Sequence, residues 1–126
     1  MKRDLDLVRE ILMEIEKRGP STLGEVHIEG HSSEEVSYHV RLMGEAGLIE
    51  ASGTQINAGP NASPDAIEWE QVRLTWAGHE FLDASRNDTM WAKAKDKVLS
   101  TTGTLTLDAL KMALGALIKQ ALTGGK

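Results

Sequence analysis

The sequence predicts a mainly helical chain with a small antiparallel sheet, an α+β fold. Three observations lead there. Apolar residues recur at helical spacing in five stretches. One loop-like run, residues 57–66 (Asn-Ala-Gly-Pro-Asn-Ala-Ser-Pro-Asp-Ala), separates two segments that alternate like the arms of a hairpin. Aromatic residues make up only 4% of the 126, so the core must come from Leu, Ile, Val, Ala and Met.

The first helix is carried by Leu5, Val8, Leu12 and Ile15, with Leu7 and Ile11 beside them. Asp4 or Asp6 suits its start. Gly19-Pro20 after Lys17-Arg18 stops it, with cations at the negative end of the helix dipole. Leu23, Val26 and Ile28 then read as a short strand ended by Gly30. Ser32 and Glu35 have capping-box spacing and open a second helix over 33–46, with Val36, Val40 and Met43 on one face. Ala46-Gly47 ends it, and an extended segment runs from Leu48 to about Ile56. After the loop, Ile67 to Leu74 returns as a strand with Val72 and Leu74 inward.

Thr75 caps a third helix, whose inner face is expected at Ala77, Phe81, Leu82 and Ser85. Trp91, Ala94 and Val98 mark a fourth, ended by Thr101-Thr102-Gly103. The last runs from about Thr106 to Leu122 and is apolar over most of its circumference. Trp76 and Trp91 are expected in the core. Trp69 shares a strand face with Ile67, an apolar patch if nothing packs on it.

The order helix, short strand, helix, hairpin is that of a winged helix. It places a winged-helix domain over 1–87 and a C-terminal helical extension over 88–126, packed together as one compact unit. The charge is uneven: residues 1–50 hold 6 basic and 11 acidic side chains, and residues 88–126 hold 6 and 3. The absence of cysteine excludes disulfides, thiolate metal sites and cysteine catalysis. With no membrane-length apolar run and no cleavable leader, the chain reads as cytoplasmic, with no membrane partner.

Two resemblances sharpen this reading. Val36-Ser37-Tyr38-His39-Val40-Arg41-Leu42-Met43, followed by Ala46-Gly47-Leu48-Ile49, resembles the recognition-helix signature of arsenic-repressor-like winged helix-turn-helix regulators. Leu74-Thr75-Trp76-Ala77-Gly78-His79-Glu80-Phe81-Leu82 is similar to their wing-to-helix transition. Over nearly the whole chain, the opening Met1 to Arg9, Ile28-Glu29-Gly30, Ser37-Tyr38-His39-Val40, the Leu74–Leu82 stretch and Arg86-Asn87-Asp88-Thr89 before Trp91 resemble the family known as domain of unknown function 2513. That resemblance implies a bacterial, phage or prophage origin and supplies no activity. One departure stands out. Fourteen residues, Gly19 to Ser32, separate the first two helices, and this stretch reads as a strand where such regulators place a bracing helix.

The expected function is a DNA-binding winged-helix regulator with the 33–46 helix in the major groove. Its candidate contacts with double-stranded DNA are Ser33, Ser37, Tyr38, His39 and Arg41. Arg can pair bidentately with guanine or meet phosphate, and Ser and Tyr reach phosphate oxygens. The plain alternative is a solvated face with one salt-bridging Arg, and a half-buried His39 bonded to the wing. Glu34 and Glu35 stand where a docked helix would meet the most negative potential. Residues 51–72 contain no Lys or Arg but do contain Asp65, Glu68 and Glu70, so the wing cannot neutralise phosphates. The second reading is therefore a winged helix turned to protein interaction, binding an unknown protein partner.

Other constellations are weaker. His27 and His31, four apart, could suggest a metal site with Glu29, but ligand geometry from a strand and turn is unspecific, and none is expected. His79-Glu80-Phe81-Leu82-Asp83 lacks the second histidine of a zinc-protease helix, and Asp83 is expected to bond His79. No nucleophile elbow, phosphate loop or carboxylate pair appears, so neither an enzyme nor a cofactor is expected. Lys93, Lys95 and Lys97 form the most basic stretch, with Lys93 and Lys97 on one face. Leu107, Leu110, Leu114, Leu117 and Ala121 already fill a core-facing stripe on the last helix, and Met112, Ala113, Ala116 and Ile118 spread the apolar surface beyond it. A homodimer across a two-fold axis is therefore expected, with Leu110, Leu114, Leu117, Ile118 and Ala121 as its candidate residues. The alternative is a helix fully covered within one chain.

Overall fold

The computed structural model describes residues 1–19, 26–56, 59–60 and 63–124. Among the described residues, five helices and two strands follow in the order α1 (Leu5–Arg18), α2 (Ser33–Glu45), β1 (Ile49–Gln55), β2 (Ile67–Leu74), α3 (Trp76–Ser85), α4 (Asp88–Thr102) and α5 (Leu107–Leu122). They divide into two compact units, residues 1–79 and 80–126. Helix α3 begins in the first and ends in the second. Among the described residues no helix is long and apolar enough to cross a membrane.

Local chemistry sets the helix ends. The Asp4 carboxylate accepts from the Asp6 and Leu7 amides and starts α1. Gly19 takes φ 92°, and its amide closes the helix onto Ile15 and Glu16. Only half of the expected capping box forms at α2. Ser32 Oγ accepts from the Glu35 amide at 3.1 Å. The Glu35 carboxylate turns instead to the His31 ring, 2.7 Å from Nδ1. The strand expected over Leu23–Ile28 is not formed at its described end: residues 26–28 carry no strand pairing, and the Ile28 carbonyl accepts from the His31 amide in a turn. Leu23 lies outside the described residues.

In the first unit α1 packs on α2 and β2, and α2 packs on β1. All six apolar positions that defined α1 are buried, together with Val26, Val36, Val40, Met43, Leu48, Ile49, Val72 and Leu74. Removing these chains from water is the dominant stabilising term, about 1.5–3 kcal/mol gross for each large one. β1 and β2 pair antiparallel from Ile49–Leu74 to Gln55–Ile67. The register slips between Ser52, opposite Gln71, and Gly53, opposite Trp69, so Glu70 is a bulge. The slip matters because side chains alternate along a strand. Without it Glu70 and Glu68 would share the face of Val72 and Leu74. With it Trp69 and Ile67 take that face. Gly53 permits the bulge: a β-carbon there would lie 2.6 Å from the Glu68 carbonyl oxygen.

Two expectations about α3 are corrected. Trp76 is 82% exposed rather than in the core. Ala77 is exposed, and Gly78 takes the inward place beside Phe81, Leu82 and Ser85. A methyl group on Gly78 would overlap the Leu48 carbonyl oxygen, so only hydrogen fits. Thr75 caps α3 as expected, its Oγ1 accepting from the Gly78 amide and donating to the Gly47 carbonyl.

In the second unit the Trp91 ring meets Phe81 edge-on at 6.0 Å, with Lys95 5.7 Å from the Trp91 ring centre. Gly103, in the left-handed conformation, ends α4, and Thr106 caps α5. The short link makes α4 and α5 an antiparallel helical hairpin.

Candidate interaction site

The five α2 residues expected to face DNA do not share one environment. Ser33 is exposed and Tyr38 is half-buried. Ser37 is buried, and its Oγ accepts the Trp69 indole N–H at 3.0 Å. His39 is fully buried. Its Nε2 accepts the Asp4 amide at 2.9 Å, and its Nδ1 lies 2.8 Å from the Glu35 carbonyl oxygen. A carbonyl can only accept, so Nδ1 carries the proton and the ring is neutral.

Arg41 is the one cation of the set, and it is held from three sides. Nε donates to Asp65 Oδ1 at 2.9 Å, and one terminal nitrogen donates to Glu45 Oε2 at 3.0 Å. The guanidinium carbon lies 5.5 Å from the centre of the Tyr38 ring. The hydrogen bond that Arg41 donates to Asp65 is the main cause that raises its pKa above the ordinary value. The loop presents Asp65 through its own local bonds. The Ser63 hydroxyl accepts the Asp65 amide, and the Ser63 carbonyl accepts the Ala66 amide. Arg73, the one basic residue on either strand, is spent across the hairpin on Glu50 at 2.6 Å.

Ser37 and Arg41 stand one helical turn apart on α2, and each is tied to the hairpin, Ser37 by Trp69 and Arg41 by Asp65. Beside these ties lies a cleft of about 270 Å³ between the first half of α2 and the hairpin. Val36, Val40, Ile67 and Trp69 give it apolar walls, and Glu34 and Asp65 give it carboxylates. Glu34 makes no ion pair among the described residues and lies in the first turn of α2. The cleft can therefore take an apolar side chain with a neighbouring cation.

Sequence reasoning named Ser37 and Arg41 but missed Asp65 and Trp69 as their partners. For Asp65 a signal was present: a wing with acids and no cations, brought near the only Arg of α2. For Trp69 the strict alternation of a strand pointed away, and the bulge reversed it. Asp83 accepts from Arg86 at 2.9 Å and not from His79. His31 engages Glu35. Among the described residues no cluster of three His, Asp or Glu side chains could hold a metal ion. On α5, Leu110 and Leu114 are fully buried within the folded chain, Leu117 and Ile118 are half-buried, and Ala121 is exposed.

The family described as "Hypothetical protein (DUF2513)" matches residues 2–104. A relative from Haemophilus influenzae, itself described as an uncharacterized protein, is 39% identical over 124 residues, covering 97% of this chain and 99% of the relative. No solved structure matches.

Proposed function

This chain belongs to the DUF2513 family, and we propose that its first unit is a winged-helix protein-interaction module whose α2–hairpin cleft takes a basic segment of a partner protein. One observation carries the reading. The α2 face that a DNA-binding winged helix would send into the groove is the face clamped by its own hairpin through Ser37–Trp69 and Arg41–Asp65. The charge supports it: residues 1–79 hold seven basic and fourteen acidic side chains. Phosphate neutralisation supplies most non-specific DNA affinity, and the hairpin's single Arg73 is already paired with Glu50. A cleft with apolar walls and the unpaired Glu34 carboxylate at its edge instead complements a Lys- or Arg-bearing peptide.

Duplex DNA is the rival, on the strength of the Val36–Met43 resemblance. It requires Arg41 to leave two carboxylates, of which Asp65 is only 12% exposed. Fluorescence anisotropy with a labelled duplex and with a labelled Lys/Leu peptide separates the two. The module should bind the peptide saturably, and Glu34→Lys should weaken that binding. Saturable duplex binding that falls steeply between about 50 and 200 mM salt, and is lost in Arg41→Ala, would reverse the conclusion.

A further inference from the structure

The second unit carries a different surface. Residues 80–126 hold seven basic and five acidic side chains, the reverse of the first unit's balance. Between α4 and α5 runs a groove of about 700 Å³. Its floor is apolar, with Val98, Met112, Ala116 and Leu117 among the lining residues, and Lys93 and Lys97 stand at its α4 side. Met112 is 76% exposed although its side chain is unbranched and apolar. The two lysines are one helical turn apart. Neither ammonium group makes an ion pair or hydrogen bond among the described residues, whereas Lys95 between them lies over Trp91. The lining hydroxyls are internally committed: Thr101 donates to the Lys97 carbonyl and Thr102 to the Val98 carbonyl. The groove thus offers apolar area and two unneutralised cations, and little else.

We infer that this groove binds an acidic amphipathic helix of a partner protein. The lining spans Lys93 to Thr102 on α4 and Ala109 to Gln120 on α5. At 1.5 Å rise per residue that is about 15 Å of trough, the length of roughly three helical turns. A third helix laid between two packed ones is the usual way such a trough is filled, with apolar side chains at i, i+3, i+4 and i+7 entering it. Charge selects the occupant. Carboxylates on the flank of that helix meet Lys93 and Lys97. A second copy of α5 is less suited, because it brings Lys111 and Lys119 against one acid, Asp108. A nucleic-acid backbone would gain nothing from Met112 and Leu117. This inference concerns the second unit and stands independently of the α2–hairpin cleft.

The test uses the full chain and two synthetic peptides of about 18 residues. Both carry Leu at i, i+3, i+4 and i+7; one has Glu at the flanking positions and the other Lys. The Glu peptide should bind saturably by anisotropy. Lys93→Glu combined with Lys97→Glu should weaken it by about tenfold or more and should bring the Lys peptide into binding. Ala116→Trp, which fills an exposed part of the trough, should abolish both while leaving thermal unfolding near wild type. No saturable binding of the Glu peptide, equal binding of the two peptides, or charge-reversed and wild-type chains that bind alike would overturn the inference. So would a wild-type dimer in sedimentation that Met112→Glu converts to monomer, since the occupant would then be a second copy.

Discussion

Asp4 and His39 are joined across thirty-five residues by one hydrogen bond, from the Asp4 amide to His39 Nε2. The same aspartate caps α1 with its carboxylate, so the bond fixes the start of α1 to the middle of α2. His39 is fully buried and has both ring nitrogens engaged. His39, a candidate DNA contact by its place in the sequence, is here a strut between two helices. His39→Leu should therefore cost about 1–3 kcal/mol in urea unfolding, because the Asp4 amide and the cavity lose their partner. His39→Gln should recover part of that loss. A nitrogen-15 spectrum should show the tautomer with the proton on Nδ1. Unchanged stability in His39→Leu would remove the strut from the account.

The Arg41–Asp65 tie makes a second prediction. Asp65 has a side chain only 12% exposed, so removing its partner strands a carboxylate in poor solvent. Arg41 itself is about one-third exposed, and water screens part of the gain. Arg41→Ala should cost about 1–2 kcal/mol. Combined with Asp65→Ala the effects should be less than additive, with a coupling of at least about 0.5 kcal/mol. Strict additivity would mean that the two side chains do not work as a pair.

Two glycines should respond to alanine with opposite signs. Gly78 faces the Leu48 carbonyl oxygen, and a β-carbon there forces backbone to move. Gly78→Ala should destabilise by about 1–3 kcal/mol despite the better helix former. Gly115 sits inside α5 with nothing within 4 Å of a would-be β-carbon. Gly115→Ala should stabilise by about 0.5–1 kcal/mol. Thermal unfolding of both variants against wild type checks the pair, and shifts of the same sign would contradict it.

The tryptophans make a similar contrast. Trp91 is buried against Phe81, and Trp91→Ala should cost about 3–5 kcal/mol. Trp76 is largely in solvent, and Trp76→Ala should change stability by less than about 0.5 kcal/mol. A large loss in Trp76→Ala would mean that the ring is covered after all.

What could be read from the sequence was what local chemistry decides. The caps at Ser32 and Thr75, the stops at Gly19 and Gly103, and the inward faces of α1, α2 and α4 follow from spacing and from free amides near a helix start. What could not be read depended on one residue of rotation or register. Gly78 takes the inner place expected of Ala77, because the Leu48 carbonyl leaves room for hydrogen alone. The bulge at Glu70 turns Trp69 toward Ser37, against the alternation of the strand. The apolar breadth of α5 suggested a dimer face, but Leu110 and Leu114 spend their surface inside the chain. The remainder includes the exposed Met112 and the half-buried Leu117 on the α4–α5 groove. The site was half legible: Ser37 and Arg41 could be named, and their partners on the hairpin could not.

The most direct test of the central claim follows the Arg41 Nε–H and Trp69 indole N–H signals by nitrogen-15 NMR while duplex DNA and then a Lys/Leu peptide are added. If the hairpin clamps this face of α2 and the cleft takes a basic peptide, DNA leaves both signals in place. The peptide shifts the Trp69 indole and the amides of Ser33 and Glu34, with Arg41 still bonded to Asp65. Saturable movement of the Arg41 signal on adding DNA, with the peptide without effect, would contradict the account.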